Sequence, residues 1–237
     1  LRYLRLLTRR VGSSVERILA FVLSVKTWHV LPFALLPALG IFLFRKRRTL
    51  AVLSAIFATG SWGMALELII LLAFQIAVGS LYYKVGLVVG VFMCGLALGA
   101  LRGRLSTNPQ QGVLFAEAAA CATALFTPIA VDASSVLSPN LSQLLLCLLV
   151  GAAGAVTGYE FSTANLLLAG GSSQKRSWVI ASLTDSADHL GACVGAALTG
   201  ILLLPALGIT GGSLFLAIMK AGTLMGLWRG GVGPGGD

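Results

Sequence analysis

Long apolar runs separated by short polar clusters set the plan of this chain. A helix needs about 20 predominantly apolar residues to cross a bilayer. Runs approaching or exceeding that length stand at 28–44, 49–77, 82–101, 113–131, 141–169, 178–206 and 213–228. The breakers between them are Arg45-Lys46-Arg47-Arg48, Thr107-Asn108-Pro109, Ser138-Pro139-Asn140, the stretch 170–176 and the stretch 208–212. The pattern predicts an all-α fold, a polytopic integral membrane bundle of about seven transmembrane helices. Three runs (49–77, 141–169 and 178–206) exceed what a crossing needs, which implies tilt or a projecting end.

Composition agrees with that pattern. Of 237 residues, 57% are hydrophobic and only 11% are charged, against about 25% charged in a soluble domain. Mean hydropathy is +0.92. The formal net charge of +9 does not imply nucleic acid as a partner, because the basic residues sit in short loops and at the N-terminus. Headgroups and membrane orientation account for that placement. Loops 45–48, 101–112 and 170–177 carry basic residues, whereas 78–81, 132–140 and 207–212 carry none. The positive-inside rule therefore places the first set in the cytoplasm.

The chain divides into a basic N-terminal segment, 1–26, an extra transmembrane or re-entrant segment with its basic loop, 27–48, a six-helix module, 49–228, and a Gly-rich tail, 229–237. Arg2, Arg5 and Arg9 share one helical face and Leu4, Leu7 and Val11 another, so 1–12 reads as an interfacial amphipathic helix. Pro32 and Pro37 break the run at 28–44. Leu1–Arg10 lacks the order of a secretory signal, and the chain reads as a processed product or as part of something longer.

Five of the eight acidic residues, Glu67, Glu117, Glu160, Asp185 and Asp188, lie in or at the lip of these runs, with His189 beside the last. A carboxyl group at membrane depth costs about 2.5–3.5 kcal/mol on insertion scales, so such groups face the bundle interior and find partners. Asp185, Asp188 and His189 fall at i, i+3 and i+4 and share a face. The candidate polar site is therefore Glu67, Glu160, Asp185, Asp188 and His189. Glu117, near a helix start, reads as a neutral or hydrogen-bonded structural acid. Pairs of glycines at Gly86/Gly90, Gly95/Gly99 and Gly191/Gly195 have the small-xxx-small spacing that lets helix backbones approach closely. They are expected to pack helices within the chain or to form a seam with a partner. No cofactor and no metal is expected: Cys94, Cys121, Cys147 and Cys193 are isolated, and CxxCH and phosphate-loop motifs are absent; His29 and His189, in different segments, leave one bis-His haem formally open.

Several of these residues stand in a pattern that resembles the membrane module of spermidine-synthase-like bacterial membrane proteins. Gly63-Met64-Ala65-Leu66-Glu67, Gly79-Ser80-Leu81-Tyr82 and Phe92-Met93-Cys94-Gly95-Leu96-Ala97-Leu98-Gly99 are similar to its first two helices. Gly158-Tyr159-Glu160-Phe161 is similar to its Gly-x-Glu-Phe element. Asp188-His189-Leu190-Gly191-Ala192, followed by Leu204-Pro205-Ala206-Leu207-Gly208, is similar to its Asp-x-x-Gly-Ala and Pro-x-x-Gly stretch. The likeness covers about residues 50–228. It implies a bundle distantly similar to half of a major-facilitator transporter, with Glu67, Glu160 and Asp188 as family-type polar positions.

The catalytic domain often fused to that module, with its glycine-rich cofactor loop, has no counterpart in these residues, so aminopropyl transfer by this chain alone is not expected. The expected function is that of a non-catalytic subunit or module in a bacterial inner membrane, anchoring or assembling with other membrane proteins as well as lipid. It would bury the Gly86/Gly90/Gly95/Gly99 face and the N-terminal 44 residues against partners. The alternative is a transporter-like bundle in which Glu67, Glu160, Asp188 and His189 converge on one polar cavity. That cavity would bind an organic cation such as a polyamine or relay protons to a quinone. A third reading is an enzyme fragment separated from its catalytic domain.

Overall fold

The computed structural model describes residues 34–44, 47–79, 82–170 and 174–229. The amphipathic helix expected at 1–12, the basic segment 1–26, His29 and nearly all of the Gly-rich tail lie outside the described residues. Among the described residues there is no strand. The elements are α1 (Leu36–Leu43), α2 (Arg48–Val78), α3 (Tyr82–Arg104), α4 (Pro109–Val136), α5 (Pro139–Ala169), α6 (Gln174–Leu198), a π-helical segment (Thr199–Leu203) and α7 (Leu204–Leu227).

Local chemistry sets most of these ends. Asn108 caps α4 by accepting from the Gln111 N–H at 3.2 Å, with Pro109 at the first helical position, where its missing N–H costs nothing. Pro139 starts α5 in the same way, and Gly79, at φ +82°, ends α2. The wide turn at Thr199–Leu203 lies ahead of Pro205, whose ring would clash with the carbonyl four residues back in a regular helix.

Five helical stretches are long and apolar enough to cross a membrane: Arg48–Ala77, Lys84–Arg104, Pro109–Val136, Pro139–Ala169 and Gln174–Leu227. Two expectations are corrected. Asp132 belongs to α4 and not to a loop beginning at 132. The loop expected at 208–212 reduces to a single non-helical residue, Gly208 (φ +66°, ψ −168°), a region of backbone space open essentially to glycine alone. The described part of the run at 28–44 yields only the eight-residue α1, about 12 Å long at 1.5 Å per residue.

α2 is the central helix, packing against α5, α6 and α7; α5 packs in turn on α3 and α4, and α4 also packs on α7. Gly191 and Gly195 of α6 lie against Phe57 and Ser61 of α2, so the two helices run parallel. Gly212 lies against Ile69, whereas Lys220 bonds Thr59, so α7 runs antiparallel to α2. The chain therefore reverses around Gly208 within its last 54-residue helical stretch. α1 packs on α7 and α2, where Ala38 faces Gly222, Ile41 faces Gly226 and Ser54 faces Gly40.

The six candidate packing glycines divide. Gly95 and Gly99 lie against the backbone of Gly151 and Ala155 in α5, and Gly191 and Gly195 against α2. Gly86 and Gly90 are exposed and meet nothing within 4 Å. α5 contributes its own small residues to the seam, Gly154 against Phe92 and Gly158 against Leu96. A methyl at Gly99 would strike the Ala155 backbone. Gly99→Ala is therefore expected to lose about 1–3 kcal/mol of stability, while Gly90→Ala should gain up to about 1 kcal/mol from helix propensity. Unfolding of the purified variants in detergent measures both.

Candidate functional site: an acidic cleft beside a buried ion triad

A cleft of about 400 Å³ opens between α2, α3, α5 and α6, within the size range of small-molecule sites, about 300–1,000 Å³. Helical periodicity builds it. Gly60, Gly63, Met64 and Glu67 line it from α2, and Asp185, Asp188, His189 and Ala192 from α6. Both sets follow the i, i+3, i+4, i+7 spacing of one helix face. α3 and α5 supply apolar walls, chiefly Phe92, Met93, Leu96 and Phe161, and Ala100 carries the cleft to within two residues of Arg102 at the basic end of α3. Three carboxyl groups thus share one cavity, and among the described residues no lysine or arginine lines it.

The cleft is graded in exposure. Glu67 is buried, Asp188 is half-buried, and Asp185 and His189 form an exposed rim. His189 Nδ1 lies 2.9 Å from the Asp185 carbonyl oxygen and 3.6 Å from its Oδ1. In the neutral ring, donation from Nδ1 to that carbonyl leaves Nε2 as the acceptor. The missing side chain at Gly60 lets the backbone and carboxylate of Asp188 lie directly on α2.

Glu160 does not join this cleft. It lies two residues beyond Gly158, about 200° around the helix at 3.6 residues per turn, and so points to the opposite side of α5. There it is fully buried with Glu117 and Lys220. Lys220 Nζ donates to Glu117 Oε2 at 3.1 Å, to Glu160 Oε2 at 3.2 Å and to Thr59 Oγ1 at 2.8 Å. Thr59 Oγ1 lies 2.5 Å from Glu160 Oε1, and Thr223 Oγ1 lies 2.5 Å from Glu117 Oε2. Four helices, α2, α4, α5 and α7, are tied together at this point. The triad and the cleft are neighbours: Thr59 precedes Gly60, and Asp188 lies within electrostatic reach of both Glu160 and Lys220.

Of the five candidate site residues, four (Glu67, Asp185, Asp188 and His189) line one cavity, and Glu160 belongs to the triad. Reading the sequence missed Lys220 and set Glu117 aside. The signal was present: apart from Lys84, Lys220 is the one basic residue inside an apolar run rather than at its end, and acids at membrane depth need such a partner.

No protein-family model, curated protein or solved structure matches this chain. By the length and composition of five of its helical stretches, the chain has the architecture of a multi-pass helical membrane protein.

Proposed function

We propose that this chain is a membrane module of about seven transmembrane helices, with separate passes on either side of Gly208, whose cleft binds an amphipathic organic cation. It is the module that the sequence resemblance points to, in a bacterial inner membrane with its basic loops in the cytoplasm. The observation that carries the reading is the gathering of Glu67, Asp185 and Asp188 in one cavity with apolar walls and, among the described residues, no lining lysine or arginine. Carboxylates would pair with ammonium groups, and Phe92, Leu96 and Phe161 would cover the methylene segments between them. The cation would enter at the Asp185–His189 rim, on the side of the basic end of α3.

Calorimetric titration of the purified full chain with spermidine is the test. Saturable binding is expected, weakened tenfold or more by Asp188→Asn, a loss of about 1.4 kcal/mol or more. No binding, or binding that Asp188→Asn leaves unchanged, would overturn the reading.

A second reading, assembly with a partner subunit, is favoured by the open Gly86/Gly90 face of α3, where another helix could approach closely. A stoichiometric membrane protein in gently extracted material would decide for it.

A further inference from the structure

The triad can be counted proton by proton. An ammonium group has three donors, and Lys220 has an acceptor for each: Glu117 Oε2, Glu160 and Thr59 Oγ1. The geometry is that of a charged lysine. Two ionised carboxylates beside it would leave a net charge of −1 in a site whose three ionisable side chains have no exposed surface. Burial of an uncompensated charge is strongly unfavourable. One carboxyl group must therefore be neutral.

The hydrogen bonds say which. Both oxygens of Glu160 accept: Oε2 from Lys220, and Oε1 from Thr59 with a longer contact to Lys220 at 3.5 Å. Among the described residues Glu117 Oε1 has no hydrogen-bond partner, which suits a neutral carbonyl far better than half of a carboxylate. Thr223 then completes the arrangement, because its hydroxyl lies 2.5 Å from Glu117 Oε2 and 2.9 Å from the Lys220 carbonyl. A proton on Glu117 Oε2 donates to Thr223, and Thr223 donates onward to that carbonyl. If Glu117 loses the proton, the Thr223 hydroxyl rotates and donates to the carboxylate instead. Thr59 offers Glu160 the same choice, with the Ala55 carbonyl at 2.9 Å as its other acceptor.

We propose that Glu117, Glu160 and Lys220 form a proton-binding site that holds one exchangeable proton on Glu117 Oε2 while Glu160 and Lys220 stay ionised. The titratable groups that bear on it from the surrounding helices are Cys121 on α4 and Asp188 on α6. α2 and α7 contribute the hydroxyls of Thr59 and Thr223. The inference stands whether or not the cleft binds an organic cation.

Infrared spectra of the purified full chain test it. The wild-type minus Glu117→Gln difference should contain one protonated-carboxyl carbonyl band, and that band should shift in D₂O. Glu160→Gln should also remove the band, because Glu117 then becomes the sole anion facing Lys220. The two variants should differ in stability: Glu117→Gln keeps the wild-type unfolding temperature, since an amide replaces a neutral acid, and Glu160→Gln lowers it. Loss of a carboxylate band instead of an acid band in Glu117→Gln would overturn the assignment of the proton. A band that never shifts in D₂O would overturn its exchangeability. If Glu117→Gln does not fold, retention of the band in Glu160→Gln refutes the site by itself.

Discussion

Lys220→Met is expected to lower the unfolding free energy by about 3–5 kcal/mol, the range seen when one partner of a buried ion pair is removed. Methionine keeps the length and apolar volume of the lysine stem, so packing between α7, α4 and α5 is retained. What is lost is, among the described residues, the only cation facing Glu117 and Glu160, together with the donors to Glu160, Glu117 and Thr59. Both acids must then be neutral, and the protonated-carboxyl band should grow rather than vanish. Adding Glu117→Gln and Glu160→Gln to Lys220→Met removes the cost of protonating Glu160 and should recover much of the loss. Unfolding in detergent, followed by helical circular dichroism, reads both effects. A Lys220→Met protein as stable as the wild type would mean that the triad holds no ionised carboxylate.

Much of this architecture is legible in the sequence because its signals are one-dimensional. Apolar runs place α2 to α5, and Pro109 and Pro139 mark helix starts whatever the tertiary context. The face shared by Asp185, Asp188 and His189 follows from helical periodicity, and the cleft uses that face. Three features were not legible. The loop read at 208–212 is a one-residue break because Gly211 and Gly212 tolerate helix, and only Gly208 takes a conformation closed to other residues. The Gly86/Gly90 and Gly95/Gly99 pairs look equivalent as spacings. Only the second pair meets α5, since the closest approach of two crossed helices covers a short length of each. The separation of Glu160 from the acids of the cleft depends on which neighbour each side of α5 faces, and that is a long-range property. Lys220 is a different case: its spacing to Glu117 and Glu160 in sequence says nothing, but its isolation within an apolar run does.

The two polar sites also divide the labour that the acids suggest. The triad is closed, matched donor for donor, and positioned to hold four helices together. The cleft has three carboxyl groups, apolar walls and an exposed rim. In the proposed reading binding belongs to the second, and the first supplies the fixed scaffold behind Gly60 against which Asp188 rests.

Ala192 lines the cleft one helical turn beyond Asp188 and offers the most direct measurement of its occupancy. With Cys94, Cys121, Cys147 and Cys193 replaced by alanine, Ala192→Cys provides a single thiol in the cavity. Saturating spermidine is expected to slow modification of that thiol by a soluble maleimide tenfold or more. In the Glu67→Gln/Asp188→Asn background the protection should disappear, because two of the three carboxylates that hold the cation are gone. Equal labelling rates with and without spermidine, in protein that remains folded, would contradict an organic-cation site in this cleft.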